Sequence, residues 1–226
     1  AAGERRVLRR GPDDAHRVEE LGALFGLRPP PAPTLWLDAD AELEARRLIP
    51  AETPTLALGP TANWPPKTWR AENFAALAGR LTAPTGILPG ARIALFGAAG
   101  ERANAEAVRR ALPPDACIDL VGAIDLATVA ACIARCALYV GNDSGLMHMA
   151  AAAGTPTLGL FGPSSAARYA PWGAHAAVAQ TAIPYQALVG GAGFDHRKPD
   201  NLMASLAVDD VERAAVALWR QRPVRA

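Results

Sequence analysis

Between residues 55 and 161, short apolar runs alternate with amphipathic stretches. Residues 55–58, 92–96, 118–121, 137–140 and 157–161 are apolar, short and bounded by Gly, Pro or Asp, which predicts buried strands. The segments between them space their apolar positions three and four apart. They predict helices over 70–81, 101–112, 125–135 and 145–153, with Asp125 capping the third. A last helix starts at Asp209 or Asp210 and carries Trp219. Strands that alternate with helices make βαβ units, and hence a parallel sheet covered on both faces. The pattern predicts an α/β, Rossmann-like fold with its core over residues 52–180.

The first fifty residues differ in character. One helical pattern runs over 14–25, with Val18, Leu21, Leu24 and Phe25 on one face and Gly26 as a stop. A stiff connector, Pro29-Pro30-Pro31-Ala32-Pro33, follows, then a short helix over 40–48 ended by Pro50. The chain opens Ala1-Ala2-Gly3 and not with Met, which predicts processing or excision from something longer. No signal peptide is visible.

Composition narrows the class without naming it. Of 226 residues, 50% are hydrophobic and 20% charged, the balance of a folded protein with a real core. A formal net charge of +1 sets up no strong field toward nucleic acid or a membrane surface. Residues 144–167 lack Asp, Glu, Lys and Arg, but Gly154, Pro156, Gly159, Gly162 and Pro163 break that stretch into a buried helix, turn and strand rather than a membrane span. Three cysteines, Cys117, Cys132 and Cys136, lie in apolar surroundings and suit a reducing, cytoplasmic compartment. Cys132 and Cys136 sit one helical turn apart without further ligands nearby, so packing is favoured over metal binding.

Open parallel sheets bind ligands beyond the carboxyl ends of their strands. The first such loop to note is Gly141-Asn142-Asp143-Ser144-Gly145-Leu146-Met147-His148. Ser144 and Gly145 place free backbone N–H groups at a helix N-terminus, where the dipole favours an anion, and Gly145 leaves room for close approach. Asp143 would repel a phosphate and is expected to cap the helix and order the loop. His148, a turn further on, can face the same ligand. A plain capped helix with a satisfied histidine is the competing reading. The second loop, Trp64-Pro65-Pro66-Lys67-Thr68-Trp69, sets a lysine suited to phosphate between two tryptophans that could wall a pocket or pack on the sheet. In the third, Phe96-Gly97-Ala98-Ala99-Gly100-Glu101, Glu101 either complements a helix dipole or accepts from a ribose hydroxyl. Gly97 and, after the next strand, Ser164 complete a candidate rim with Trp64, although Phe161-Gly162-Pro163-Ser164-Ser165 also reads as a plain turn.

Taken in order, these segments resemble glycosyltransferase family 9, the ADP-heptose:lipopolysaccharide heptosyltransferases. The likeness rests on W-P-x-K-x-W at residues 64–69, D-[TS]-G-x-x-H at 143–148, A-A-x-G-x-P at 151–156 and F-G-P at 161–163, all within residues 54–173. The resemblance implies the C-terminal, donor-binding domain of a GT-B enzyme at 52–226, with residues 1–51 as the tail of an N-terminal domain and the interdomain connector. It implies a donor diphosphate at Lys67, Asp143, Ser144, Gly145 and His148, and a nucleoside contact at Glu101. The implied donor is a nucleotide sugar, ADP-linked by family expectation, used without metal or other cofactor. The implied acceptor is a glycolipid or lipopolysaccharide core, reached through at most peripheral contact with the inner face of the cytoplasmic membrane. The reaction that the resemblance implies is inverting displacement at the anomeric carbon. The general base belongs to the N-terminal domain, and no residue here is assigned to it.

Two other classes stay open at this level: a non-catalytic nucleotide-binding module without an acceptor domain, and a nucleotide-sugar epimerase on the same fold. Residues 181–205, which include Gly190-Gly191-Ala192-Gly193-Phe194-Asp195-His196-Arg197-Lys198, match none of the motifs and are read as a mobile loop able to touch substrate.

Overall fold

The computed structural model describes residues 15–191, 194–195, 197 and 201–221. Six strands form one sheet: β1 (Thr55–Gly59), β2 (Arg92–Leu95), β3 (Cys117–Asp119), β4 (Leu138–Asn142), β5 (Thr157–Phe161) and β6 (Ala176–Gln180). Their order is β3-β2-β1-β4-β5-β6 and every pairing is parallel. This is the doubly wound order. Its topological switch point falls between β1 and β4, where consecutive crossovers leave in opposite directions.

Side-chain alternation sorts the strand residues onto two unlike faces. Leu56, Leu58, Ile93, Leu95, Leu138, Val140, Leu158 and Leu160 point to one. There they meet Phe74, Leu77 and Leu81 of α3 (Ala71–Thr82), Ala105 and Val108 of α4 (Arg102–Ala111), and Val211, Ala215 and Leu218 of α9 (Val208–Gln221). The opposite face has small backbone-hugging positions, Ala57, Gly59, Ala94, Gly141 and Gly159. They leave room for Tyr139, Phe161 and Met147. It is covered by α2 (Ala39–Leu48), α5 (Leu126–Ala134) and α6 (Gly145–Ala152).

Asp125 caps α5, its carboxylate accepting from the Thr128 N–H at 2.8 Å, as its position before an apolar run requires. The helix at the chain's start is α1 (Arg17–Leu24); Asp14, where the pattern begins, lies outside the described residues. Glu20 of α1 bonds Arg168 of α7 (Ala166–Tyr169) at 2.9 Å, fastening this helix to the segment after β5. The short α8 (Tyr185–Val189) lies between β6 and α9.

Three differences from the sequence reading have physical causes. The sixth strand is invisible as a pattern because Ala176-Ala177-Val178-Ala179-Gln180 has neither bulk nor alternation; β5 supplies its ladder. β4 runs two residues beyond the apolar run, to Asn142, because that amide is satisfied by loop backbone. And α2, placed by pattern in the connector, packs on α5, with Ala41, Ala45 and Ile49 buried in the core beneath it.

Candidate functional site

The loops leaving β1 and β4 meet at the switch point. The β1 loop carries Pro60, Pro65 and Pro66, which donate no backbone hydrogen bond, so its carbonyls and remaining N–H groups need other partners. Asn142, fully buried at the end of β4, provides them: its Nδ2 donates to the Pro60 carbonyl at 2.8 Å and its Oδ1 accepts from the Trp69 N–H at 3.1 Å. One amide thus pins the far ends of the loop. Between them a single 3-10 turn (Pro65–Lys67) folds the chain back and brings Lys67 Nζ to 2.5 Å from Asp143 Oδ2.

Asp143 therefore does not cap α6, contrary to the sequence expectation. The N-cap is Ser144, and no side chain makes a cap bond there. Asp143 is 8% exposed at its side chain and orders the loop by gripping Lys67, 76 positions away in sequence. Ser144 is unusual in turn. A serine at N-cap ordinarily bonds the N–H of the second or third helical residue, whereas here its hydroxyl is buried without a partner. The first N–H groups of a helix have no partner within it, and here no side chain caps them.

A Cβ built on Gly145 meets nothing within 4 Å, and its φ is not positive. Gly145→Ala should therefore fold as well as the parent or slightly better, since alanine is the better helix former by up to about 1 kcal/mol. If an anion sits against this backbone, the same methyl should weaken its binding at least about tenfold, one hydrogen-bonding contact's worth. Thermal melts paired with titration separate the two effects, and unaltered binding would place the anion elsewhere.

His148 is exposed on the next turn. Crowding by protein lowers its pKa, as do nearby His16 and Lys67, with Asp143 opposing. The ring is neutral near pH 7 and available as a donor or acceptor rather than as a second cation.

The other candidates divide. Glu101 Oε2 accepts from Thr61 Oγ1 at 2.8 Å and from the Ala98 N–H at 2.9 Å, tying the β2 loop to the β1 loop at the same edge. Gly97 is enclosed by protein: an added Cβ would sit 3.2 Å from Thr61 Oγ1 and 3.3 Å from Val121. Packing explains that glycine without a ligand. Trp64 is half-buried on the rim, edge-on to Phe194 at 6.4 Å, which brings part of the 181–205 segment beside Lys67's loop. His196 and Lys198 of that segment lie outside the described residues. Trp69 is no pocket wall. It is 1% exposed, packs on Phe74 and donates its Nε1 hydrogen to the Leu206 carbonyl at 2.9 Å. Ser164 is buried beyond β5, its hydroxyl without a partner.

Cys132 and Cys136 are core residues; the Cys136 thiol donates to the Cys132 carbonyl at 3.3 Å, and burial raises both thiol pKa values, Cys132 to about 11. No group of three or more potential ligands that could hold a metal occurs among the described residues.

Asn142 was missed as a site residue from sequence. The available signal was a polar amide closing an apolar strand in a chain whose other proline-rich loop end needed a donor.

A doubly wound sheet with an uncapped helix start, a lysine and a buried serine hydroxyl at its switch point defines a Rossmann-like, ligand-binding domain. Residues 13–189 match the model of glycosyltransferase family 9 (heptosyltransferase), and the chain belongs to that family. It is 37% identical over 128 residues to lipooligosaccharide heptosyltransferase 2 of Haemophilus influenzae, covering 55% of this chain and 36% of that protein. It is 31% identical over 156 residues to lipopolysaccharide heptosyltransferase 2 of Salmonella typhimurium, covering 65% of this chain and 43% of that protein. Among solved structures it resembles ADP-heptose lps heptosyltransferase II of E. coli, with a TM-score of 0.66 at 27% identity over 84% of this chain and 54% of that one. A family 9 glycosyl transferase from Veillonella parvula gives a TM-score of 0.69 at 24% identity, with the same coverage. The chain thus spans under half the length of these curated relatives and about half that of the solved structures.

Proposed function

We propose that this chain is the donor-binding half, residues 52–226, of an inverting glycosyltransferase that moves a sugar, heptose from ADP-heptose, onto a lipopolysaccharide core or related glycan. Residues 1–51 supply the connector and the tail of the acceptor half, which holds the general base. The observation that carries this is the unfinished helix start at the switch point, where Ser144 withholds its hydroxyl from the cap that its position calls for. The E. coli relative named for ADP-heptose supplies the donor.

Departure of a sugar leaves negative charge on the diphosphate. Lys67, the α6 dipole, the Gly145 backbone and the Ser144 hydroxyl stabilise it in place, which suits metal-independent transfer. Neutral His148 lies a turn along α6, within reach of the same ligand. Glu101 holds the neighbouring loop and offers a carboxylate toward the ribose, and Trp64 stands on the rim. No helix among the described residues is long and apolar enough to cross a membrane. We place the protein in the cytoplasm, reaching its glycolipid acceptor by peripheral contact.

The test is calorimetric titration with ADP, with UDP and GDP as controls. Selective ADP binding is expected. A preference for UDP or GDP would change the donor, and absence of binding to all three would overturn the reading. An epimerase or a bare nucleotide module gains no support from the family match.

A further inference from the structure

Tyr139 is the second residue of β4, one of the two strands that flank the switch point, and is fully buried. Its ring lies along the small-residue face, over Gly59 of β1 and Gly141 of β4. A methyl group on either glycine would collide with the phenol. Those two glycines open a slot that leads the phenol toward the carboxyl end of the sheet. There its oxygen comes within hydrogen-bond reach of the Ser144 hydroxyl, whose contact lowers the phenol's pKa against the larger effect of burial, although the pair falls short of full hydrogen-bond geometry. Both oxygens are buried, and among the described residues neither completes a hydrogen bond of good geometry.

Burying an unpaired hydroxyl is unfavourable, and phenylalanine would fill the same slot without that cost. A tyrosine here is thus a local sacrifice of stability, of the kind expected at functional positions. The oxygen chemistry gives it a direction. A phosphoryl oxygen only accepts, so Ser144 must turn its proton outward to bind one, and its own lone pairs then face inward. The phenol facing them is a donor, since burial pushes its pKa well up and keeps it protonated.

We propose that Tyr139 is a positioning residue for the anion site: on ligand binding its hydroxyl donates to Ser144 Oγ, which donates in turn to a diphosphate oxygen. The chain of donors fixes the Ser144 rotamer and polarises its O–H toward the ligand. No bond is broken and no proton changes owner. The inference rests on the donor-site reading above and adds to it a residue that never touches the ligand.

The experiment uses Tyr139→Phe, Ser144→Ala and the double variant, each titrated with ADP and melted without ligand. Tyr139→Phe should bind ADP about tenfold more weakly, the weight of one hydrogen bond. Its unliganded melting temperature should nevertheless rise by about 2–4 °C, because a buried unpaired hydroxyl is gone. In the Ser144→Ala background the same change should alter ADP affinity less than about twofold, since the two hydroxyls act as one unit. A purely structural tyrosine would lower the melting temperature instead, and that result overturns the proposal. So does unchanged affinity, or a full affinity loss that persists without the Ser144 hydroxyl. Failure of the parent chain to bind ADP would overturn the donor-site reading itself, and is seen before any variant is made.

Discussion

Lys67→Ala is expected to weaken ADP binding about a hundredfold. One charge-assisted hydrogen bond to a phosphate accounts for roughly 1.5–3 kcal/mol, a factor of about ten to a hundred and fifty. The structure adds a second contribution. Lys67 neutralises Asp143, whose side chain is 8% exposed beside the helix start. Without the lysine that carboxylate stays buried, unpaired and directed against an arriving anion. Lys67 is itself 22% exposed and held, so the substitution also costs stability, which a lysine on an open loop would not. The remedy is a second change. Lys67→Ala with Asp143→Asn should recover the melting temperature and part of the affinity, because the repulsive charge is gone while the amide keeps its volume. Calorimetric titration of the three variants reads this, and undiminished ADP affinity in Lys67→Ala would remove the lysine from the site.

Asn142→Ala should cause a large loss of stability. The Pro60 carbonyl and the Trp69 N–H would both lose their partners in a fully buried place. Each unsatisfied group costs about 1–3 kcal/mol, so the pair should cost roughly 3–5 kcal/mol. In a chain of this size each kcal/mol moves the melting temperature by about 2–4 °C, so a fall of about 10 °C is expected. A fall of less than about 2 °C would mean that the loop finds other donors and that Asn142 is not its anchor. The variant should also lose ADP affinity, since the loop it releases carries Lys67.

Much of this architecture could be read before any coordinates existed. β5 matches its predicted bounds, the other four predicted strands lie within two residues of theirs, and Asp125 caps α5 where its position before an apolar run places it. These features are local: periodicity and capping are written in neighbouring residues. What escaped is non-local. Asp143 reads as a cap until Lys67 is seen across 76 positions. Trp69 reads equally as a pocket wall or as packing on the sheet until the Leu206 carbonyl, 137 positions away, takes its indole hydrogen. β6 has no pattern of its own and exists because β5 offers an edge. α2 seems part of a linker because its core-facing residues, Ala41 and Ala45, are too small to mark an apolar face. Only the paired glycines on two separate strands show where the Tyr139 phenol goes.

The Lys67–Asp143 pair also bears on how such a site would empty. An ammonium that met its only anion in the ligand would hold a spent nucleotide tightly, because letting go would strand a half-buried charge. On the proposed reading, the carboxylate would take the ammonium back as the nucleotide leaves. Lys67 would then exchange one anion for another in both directions, so that the same residue would ease release of product and temper capture of the donor. On the proposed reading, Asp143 sets turnover as much as affinity.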